Sequence, residues 1–275
     1  MNLLRTCGIV LRVTGHGESD KLVTLYTPDL GRITGIAKGA QKSKRRFVNK
    51  LEVFSHLLVF YRPPRGAQGL LLINEAELLA AHIPLRTDVQ RYAAAMYLCE
   101  LIVRFTHDND PDPQLYTLFK WAIAALDHDK MPARVVALAH LQLLERVGYR
   151  PELNCCSRCR QLLRPEHTYM LLPGVGALLC NLCSSSKRSP FPPLSVHTLR
   201  LLSTGQTLPL DRLHRLHFTP KSLTEALSAL NVYTLHLLQQ DVHSWSIFCA
   251  LNIGPNCAPQ GREIRRAWAC PSRAA

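Results

Sequence analysis

Leu22 to Lys50 reads LVTLYTPDLGRITGIAKGAQKSKRRFVNK, and the change of character along it sets the expectation for the whole N-terminal region. Leu22 to Thr27 alternates apolar and polar residues and is rich in β-branched and aromatic types, the pattern of a half-buried strand. Pro28-Asp29-Leu30-Gly31 supplies a turn, with proline second and glycine last, and Arg32 to Ala37 returns as another alternating strand. The remainder is strongly basic. From Arg32 to Lys50 seven of nineteen residues are cationic (Arg32, Lys38, Lys42, Lys44, Arg45, Arg46 and Lys50) and none is acidic. Such a run offers phosphate contacts that no internal carboxylate neutralises, and it is expected to be a nucleic-acid contact loop. The bland reading of the same run is a solvated hairpin tip. Phe47 and Tyr26 are the aromatic candidates for stacking on bases.

Outward from this stretch the strand pattern repeats. Leu4 to Val13 alternates around Ile9 and Leu11, and Leu57 to Tyr61 and Leu70 to Ile73 give a fourth and fifth strand on either side of a Pro- and Gly-rich loop. Five short strands in about 80 residues suit a small closed barrel, and the OB-fold is the five-stranded type that holds oligonucleotides on its strand face and loops. After Pro84 the period changes to about 3.6, with a cap expected at Thr87 or Asp88. Val89, Tyr92, Ala93, Met96 and Tyr97 form one apolar stripe, and Leu115, Leu118, Phe119, Ala122, Ile123 and Leu126 form a second. A further helix is expected from Ala133 to Val147, ending at Gly148. Helical periodicity resumes beyond Pro193 with Leu199, Leu202, Leu223, Ala226, Leu227 and Leu230. The expected fold is therefore α+β: a five-stranded OB-fold barrel over residues 1–82, then an all-helical domain over 83–253. An inserted module at about 151–189 interrupts the helices, and a flexible tail follows over 254–275.

The module carries Cys156-Ser-Arg-Cys159 and Cys180-Asn-Leu-Cys183, two Cys-x-x-Cys knuckles with twenty residues between them. That spacing is a four-cysteine zinc pattern, because each knuckle turns two sulfurs to one side and the chain between can bring the pairs together. Cys156, Cys159, Cys180 and Cys183 are expected to hold one structural zinc, four thiolates leaving no open coordination position for catalysis. Cys155 offers an alternative register for Cys156. Arg158, Arg160, Arg164, Lys187 and Arg188 lie close enough in sequence to offset the thiolate charge. Cys7, Cys99 and Cys249 read as small core residues, and Cys257 and Cys270 fall in the tail.

Composition narrows the function classes. The formal net charge is +13, and residues 1–82 hold twelve Lys and Arg against six Asp and Glu. This balance suits a polyanionic partner. No apolar run approaches the roughly 18 residues that a membrane span requires, and arginines interrupt the apolar N-terminus, so a cytoplasmic protein with no membrane partner is expected. Gly35 to Ser43 lacks the glycine that a phosphate loop places before its lysine. Neither a His-Glu-x-x-His motif nor a Gly-x-Ser-x-Gly elbow is present, so no enzyme is expected. Glu18 and Asp20 could hold a metal but read more economically as a turn or an ion pair with the basic loop, and His214 and His217 could be paired ligands but read as surface residues.

Gly17-Glu18-Ser19-Asp20-Lys21-Leu22, Thr24-Leu25-Tyr26, Gly31-Arg32-Ile33, Ala37-Lys38-Gly39-Ala40 and Leu51-Glu52-Val53-Phe54 together resemble the bacterial RecO recombination mediator family. So does Gly148-Tyr149-Arg150-Pro151-Glu152-Leu153 leading into the first knuckle. Two departures stand out: Val53 replaces the family's usual proline, and Arg160 a glycine often found after the first knuckle. The resemblance implies DNA repair without nucleotide hydrolysis: binding of single- and double-stranded DNA and annealing of complementary strands. It also implies work with RecR to load RecA onto single strands coated by single-stranded DNA-binding protein, with a location at the nucleoid. The alternatives are a zinc-dependent nuclease, which needs an open metal site or a carboxylate cluster, and an RNA-binding zinc protein.

Overall fold

The computed structural model describes residues 3–64, 69–184 and 191–254. Five strands form a closed barrel: β1 (Leu4–His16), β2 (Asp20–Thr27), β3 (Gly31–Ala37), β4 (His56–Arg62) and β5 (Leu71–Ala80), in the order β1-β2-β3-β5-β4. β1 closes onto β4, with Leu4 opposite Tyr61 and Ile9 opposite His56. β2 and β3 pair antiparallel from Lys21↔Ala37 to Thr27↔Gly31, which puts Val23, Leu25, Ile33 and Ala37 on one face. These four join Val10, Leu57, Val59 and Ile73 in the barrel core. The alternation expected from the sequence is this inward face. The seam between β3 and β5 is parallel and short, from Gly35↔Leu71 to Ala37↔Ile73. Here the two backbones are close, and a Cβ on Gly35 would lie 2.7 Å from Ile73 Cγ1.

The β2–β3 turn is held by Thr27, whose hydroxyl donates to the Gly31 carbonyl at 3.0 Å and accepts from Leu30 N at 3.1 Å. Gly31 has φ +66°, and a Cβ there would stand 2.2 Å from the Asp110 carbonyl oxygen, so two separate constraints require glycine. Beyond the barrel come α1 (Pro84–Thr87), α2 (Val89–Phe105) and α3 (Pro113–His128). Asp88 caps α2, accepting from Gln90 N and Arg91 N. The expected stripe on α2 is corrected in part: Val89 and Tyr92 are exposed, and the buried residues are Ala93, Ala94, Ala95, Tyr97, Leu98, Cys99, Leu101 and Ile102. On α3 the expected residues Leu115, Leu118, Phe119, Ala122, Ile123 and Leu126 are all buried. Tyr116 and Phe119 of α3 meet Tyr26 with ring centroids 6.3 and 6.4 Å apart. The Tyr116 hydroxyl also bonds His56 Nε2 at 2.9 Å. Burial, with Lys120 and His82 adding to it, brings His56 down to about 4 and keeps it neutral.

Two compact units result, Met1–Ala95 with Leu101–His128, and Met96–Glu100 with Asp129–Ala275. The second contains α4 (Pro132–Arg146), then β6 (Glu152–Cys156), β7 (Tyr169–Leu172), β8 (Ala177–Cys180) and β9 (Pro193–Leu194), then α5 (Val196–Thr207), α6 (Pro220–Leu238) and α7 (Ser244–Asn252). Gly148 follows α4 with φ +84°. Most of α4 and α6 is buried, and His140 of α4 bonds Thr234 Oγ1 of α6 at 2.7 Å. Burial alone brings His140 down to about 3. Tyr97 stacks on Phe248 at 5.1 Å between centroids. The expected tail, apart from Gly254, lies outside the described residues, as do Lys187, Arg188, Cys257 and Cys270. Among the described residues no helix is long and apolar enough to cross a membrane.

Candidate nucleic-acid interface and metal centre

The basic arm leaves β3 at Lys38 and returns to β4 at His56, and side chains at both its ends fix it. Gly39, with φ +68°, turns the chain so that its N–H meets Asp20 Oδ1 at 2.8 Å. That bond holds the Asp20 carboxyl below its usual value. Gln41 adds bonds from its N to Ser19 O and from its side chain to Asp20 O, each 2.9 Å. Asp20 is thus a partner of the arm, through a backbone N–H and, among the described residues, not through the ion pair that the sequence offered. Ala40, Phe47 and Leu51 descend from the arm into the barrel core. Phe47 and Tyr26 are buried, 3% and 0% exposed, so neither ring can stack on a base.

The seven cations fall into two groups. Lys38, Lys42, Lys44 and Arg45 are exposed, and among the described residues no side-chain ion pair or hydrogen bond engages them. The other three have internal work. Arg32 points away from the arm, with its Nε 2.5 Å from Asp108 Oδ1 and its Nη1 donating to Val103 O. Arg46 lies with its guanidinium carbon 5.2 Å from the Phe47 ring centroid and donates to the carbonyls of Lys38 and Asn74, both at 3.3 Å. Lys50 Nζ donates to Ala76 O at 2.8 Å, Arg46 O at 3.1 Å and Arg45 O at 3.5 Å. Arg46 remains exposed despite these bonds, whereas Arg32 and Lys50 are half-buried.

In the module, Cys156 ends β6 and Cys180 ends β8, and these two strands are parallel neighbours. Both knuckles therefore emerge at the same end of the sheet. The sulfurs of Cys156, Cys159, Cys180 and Cys183 all lie within 4.8 Å of one another, Cys159 Sγ and Cys180 Sγ being 4.0 Å apart. Tetrahedral coordination with metal–sulfur bonds of about 2.3 Å needs sulfurs about 3.8 Å apart, so the donor set fits a metal ion after a small contraction. Cys155 is outside this group and pairs in a bridge with Leu162 instead. Burial pushes the Cys156 thiol up, but N–H groups of Cys159, Cys180 and Arg158 outweigh it and bring it down to about 6. Cys183 is pushed up to about 12, first by its hydrogen bond to Cys180, with burial and the Cys159 and Cys156 sulfurs adding to it. Four adjacent sulfurs cannot all ionise alone; a bound divalent cation would supply the missing charge.

Arg158 Nη1 reaches the Cys183 carbonyl at 2.9 Å and ties one knuckle to the other. Arg160 has φ +60°, the left-handed conformation that glycine adopts without strain, which gives the departure noted in the sequence a structural meaning. His214 and His217 are exposed, as read from the sequence.

A five-stranded barrel of OB type carrying a cationic arm, followed by helices that hold a four-thiol cluster able to take a metal ion, defines a class of architecture suited to a polyanionic partner. Comparison with known proteins is more particular. The family model described as Recombination protein O N terminal matches residues 1–82, and that described as Recombination protein O C terminal matches residues 86–246. The chain belongs to this family, whose curated members are DNA repair proteins. It is 29% identical over 245 residues to the DNA repair protein RecO of Syntrophus aciditrophicus (strain SB), covering 88% of this chain and 94% of that protein. It is 34% identical over 218 residues to the DNA repair protein RecO of Syntrophobacter fumaroxidans (strain DSM 10017 / MPOB), covering 79% and 86%. With the RecO of Anaeromyxobacter sp. (strain Fw109-5) the identity is 35% over 205 residues, covering 74% and 79%.

Proposed function

We propose that this RecO-family protein is a non-enzymatic recombination mediator that binds single- and double-stranded DNA and anneals complementary strands. With RecR it helps load RecA onto single strands coated by single-stranded DNA-binding protein. The observation that carries the DNA-binding reading is the arm, whose exposed cations Lys38, Lys42, Lys44 and Arg45 stand together on a base that the core and Asp20 hold still. Fixed cations position phosphates without reading bases, so affinity is similar across sequences. They also allow two mutually repelling strands to approach each other on one surface, which is what annealing needs. In this reading residues 1–82 are the DNA-binding domain and 83–253 the helical domain. Cys156, Cys159, Cys180 and Cys183 hold one structural zinc that orders the 151–189 insertion.

The test is the salt dependence of binding. Each phosphate contact contributes about 0.7 to the slope of log affinity against log salt on single strands and roughly 0.9 on duplex. The Lys42→Ala/Lys44→Ala/Arg45→Ala variant is expected to flatten the single-strand slope by about 2 and to lose annealing in parallel. A folded variant with the parent slope on both polymers would show that the arm is only a solvated tip. Binding of RNA in the same buffer, tighter than that of single-stranded DNA, would favour an RNA-directed protein instead.

A further inference from the structure

A cavity of about 430 Å³ lies between the β1–β2 hairpin and the arm, lined by residues of both. Its size is at the lower end of the roughly 300–1,000 Å³ that small-molecule sites occupy. We propose that it is a base-binding pocket, which receives one unstacked nucleobase of a single strand while the phosphates on either side stay outside with Lys42, Lys44 and Arg45. This rests on the reading of the arm as the DNA contact and adds to it a means of telling single strands from duplex.

The argument is one of charge distribution. Inside the cavity Lys21 Nζ and Glu52 Oε1 are 3.3 Å apart and cancel, so the interior has no net charge to attract a phosphate. Outside, the arm is cationic. A strand drawn to the arm therefore leaves its phosphates at the mouth and has only its neutral base to place within. The lining matches the edge of a base. Glu52 can accept from an exocyclic amino group, as acidic side chains do from cytosine. Lys21 can donate, and the Gln41 amide nitrogen is bonded to Asp20 O at 2.9 Å, which leaves its oxygen as an acceptor. Val48, 42% exposed, gives the base an apolar surface to lie against. In duplex DNA the bases are paired and stacked and cannot enter without being extruded. Phe47 and Tyr26 being buried, this pocket is where the arm's surroundings can receive a base.

The experiment uses the full chain and a single-stranded oligonucleotide carrying one 2-aminopurine, a base whose fluorescence rises when it leaves the stack. The parent complex is expected to brighten. Gly15→Leu should fill the cavity: the backbone at Gly15 is not left-handed, and a Cβ there points toward Gln41 Nε2, 3.3 Å away. That variant is expected to stay dim and to bind single strands about tenfold more weakly, with duplex affinity and salt slope unchanged. Asn49→Gly provides a second line if Gly15→Leu does not fold. Asn49 already has φ +53°, so glycine keeps the backbone while removing a lining amide, and brightening should fall. A parent complex that stays dim, a Gly15→Leu complex as bright as the parent, or an unchanged Asn49→Gly overturns the pocket. Failure of the underlying reading looks different: neither polymer binds, or the arm variant keeps the parent salt slope.

Discussion

Lys50 separates two roles that look alike in the sequence, phosphate ligand and loop anchor. Its ammonium group has three protons, and three carbonyl oxygens receive them, with Ala76 O at 2.8 Å the shortest. Lys50→Met keeps the length of the stem and removes the charge and all three donors. A hydrogen bond to a charged group contributes about 1.5–3 kcal/mol. The bond to Ala76 is short and partly buried, while that to Arg45 at 3.5 Å is at the limit of the interaction, so the expected loss is about 2 kcal/mol. As an anchor, Lys50 contributes nothing to counterion release, and the single-strand salt slope should stay within error of the parent. As a phosphate ligand it would lower that slope by about 0.7 with little effect on stability. Urea unfolding followed by fluorescence and circular dichroism gives the first quantity, and salt titration of single-strand binding gives the second. A stable Lys50→Met protein with a slope reduced by 0.7 would refute the anchoring role.

The four-cysteine cluster and the buried histidines lead to two more expectations. Cys180→Ser/Cys183→Ser should bind no zinc and lose the cooperative unfolding of the 151–189 module; normal zinc content by elemental analysis would falsify the ligand set. Acid should destabilise the protein before its carboxylates protonate. His56 and His140 are lowered from 6.5 to about 4 and about 3, so below pH 6.5 the unfolded chain binds protons that the folded chain refuses. Stability therefore falls with falling pH, by up to about 1.4 kcal/mol per pH unit for each histidine, until the folded value is reached. Comparing His140→Gln with the parent at pH 7 and pH 5 should show a shallower loss in the variant, and equal losses would rule out the histidine.

What the sequence revealed was local, and what it concealed came from distant partners. The five strands were legible because Val23, Leu25, Ile33, Leu57 and Val59 alternate toward a single core. Asp88 as a cap and Gly148 as a stop were legible because each acts on its own neighbours. β5 was expected to stop at Ile73, but it runs to Ala80; polar Asn74, Glu75 and Glu77 interrupt the apolar run while β4 still pairs with it. Strands β6 to β9 span two to five residues each, too few to show a period, although the knuckles announced the module. The cationic set was the least legible. Arg32 is committed to Asp108, 76 residues away, and Lys50 to Ala76, and nothing in a run of charges indicates which of them is already spoken for. The internal bonds that divide the seven depend on that folding.

Ala40 and Phe47 are both rooted in the barrel core, and this turns the tip between them, residues 41–46, into a separate polymer problem. With its ends fixed, the tip behaves as a closed loop whose entropic cost grows only with the logarithm of its length. Doubling it adds about 0.6 kcal/mol. The two buried side chains thus act as a collar: apart from Gln41 and Arg46, which bond back to the strands, chain length and the charges of Lys42, Lys44 and Arg45 can change at almost no expense to the barrel below.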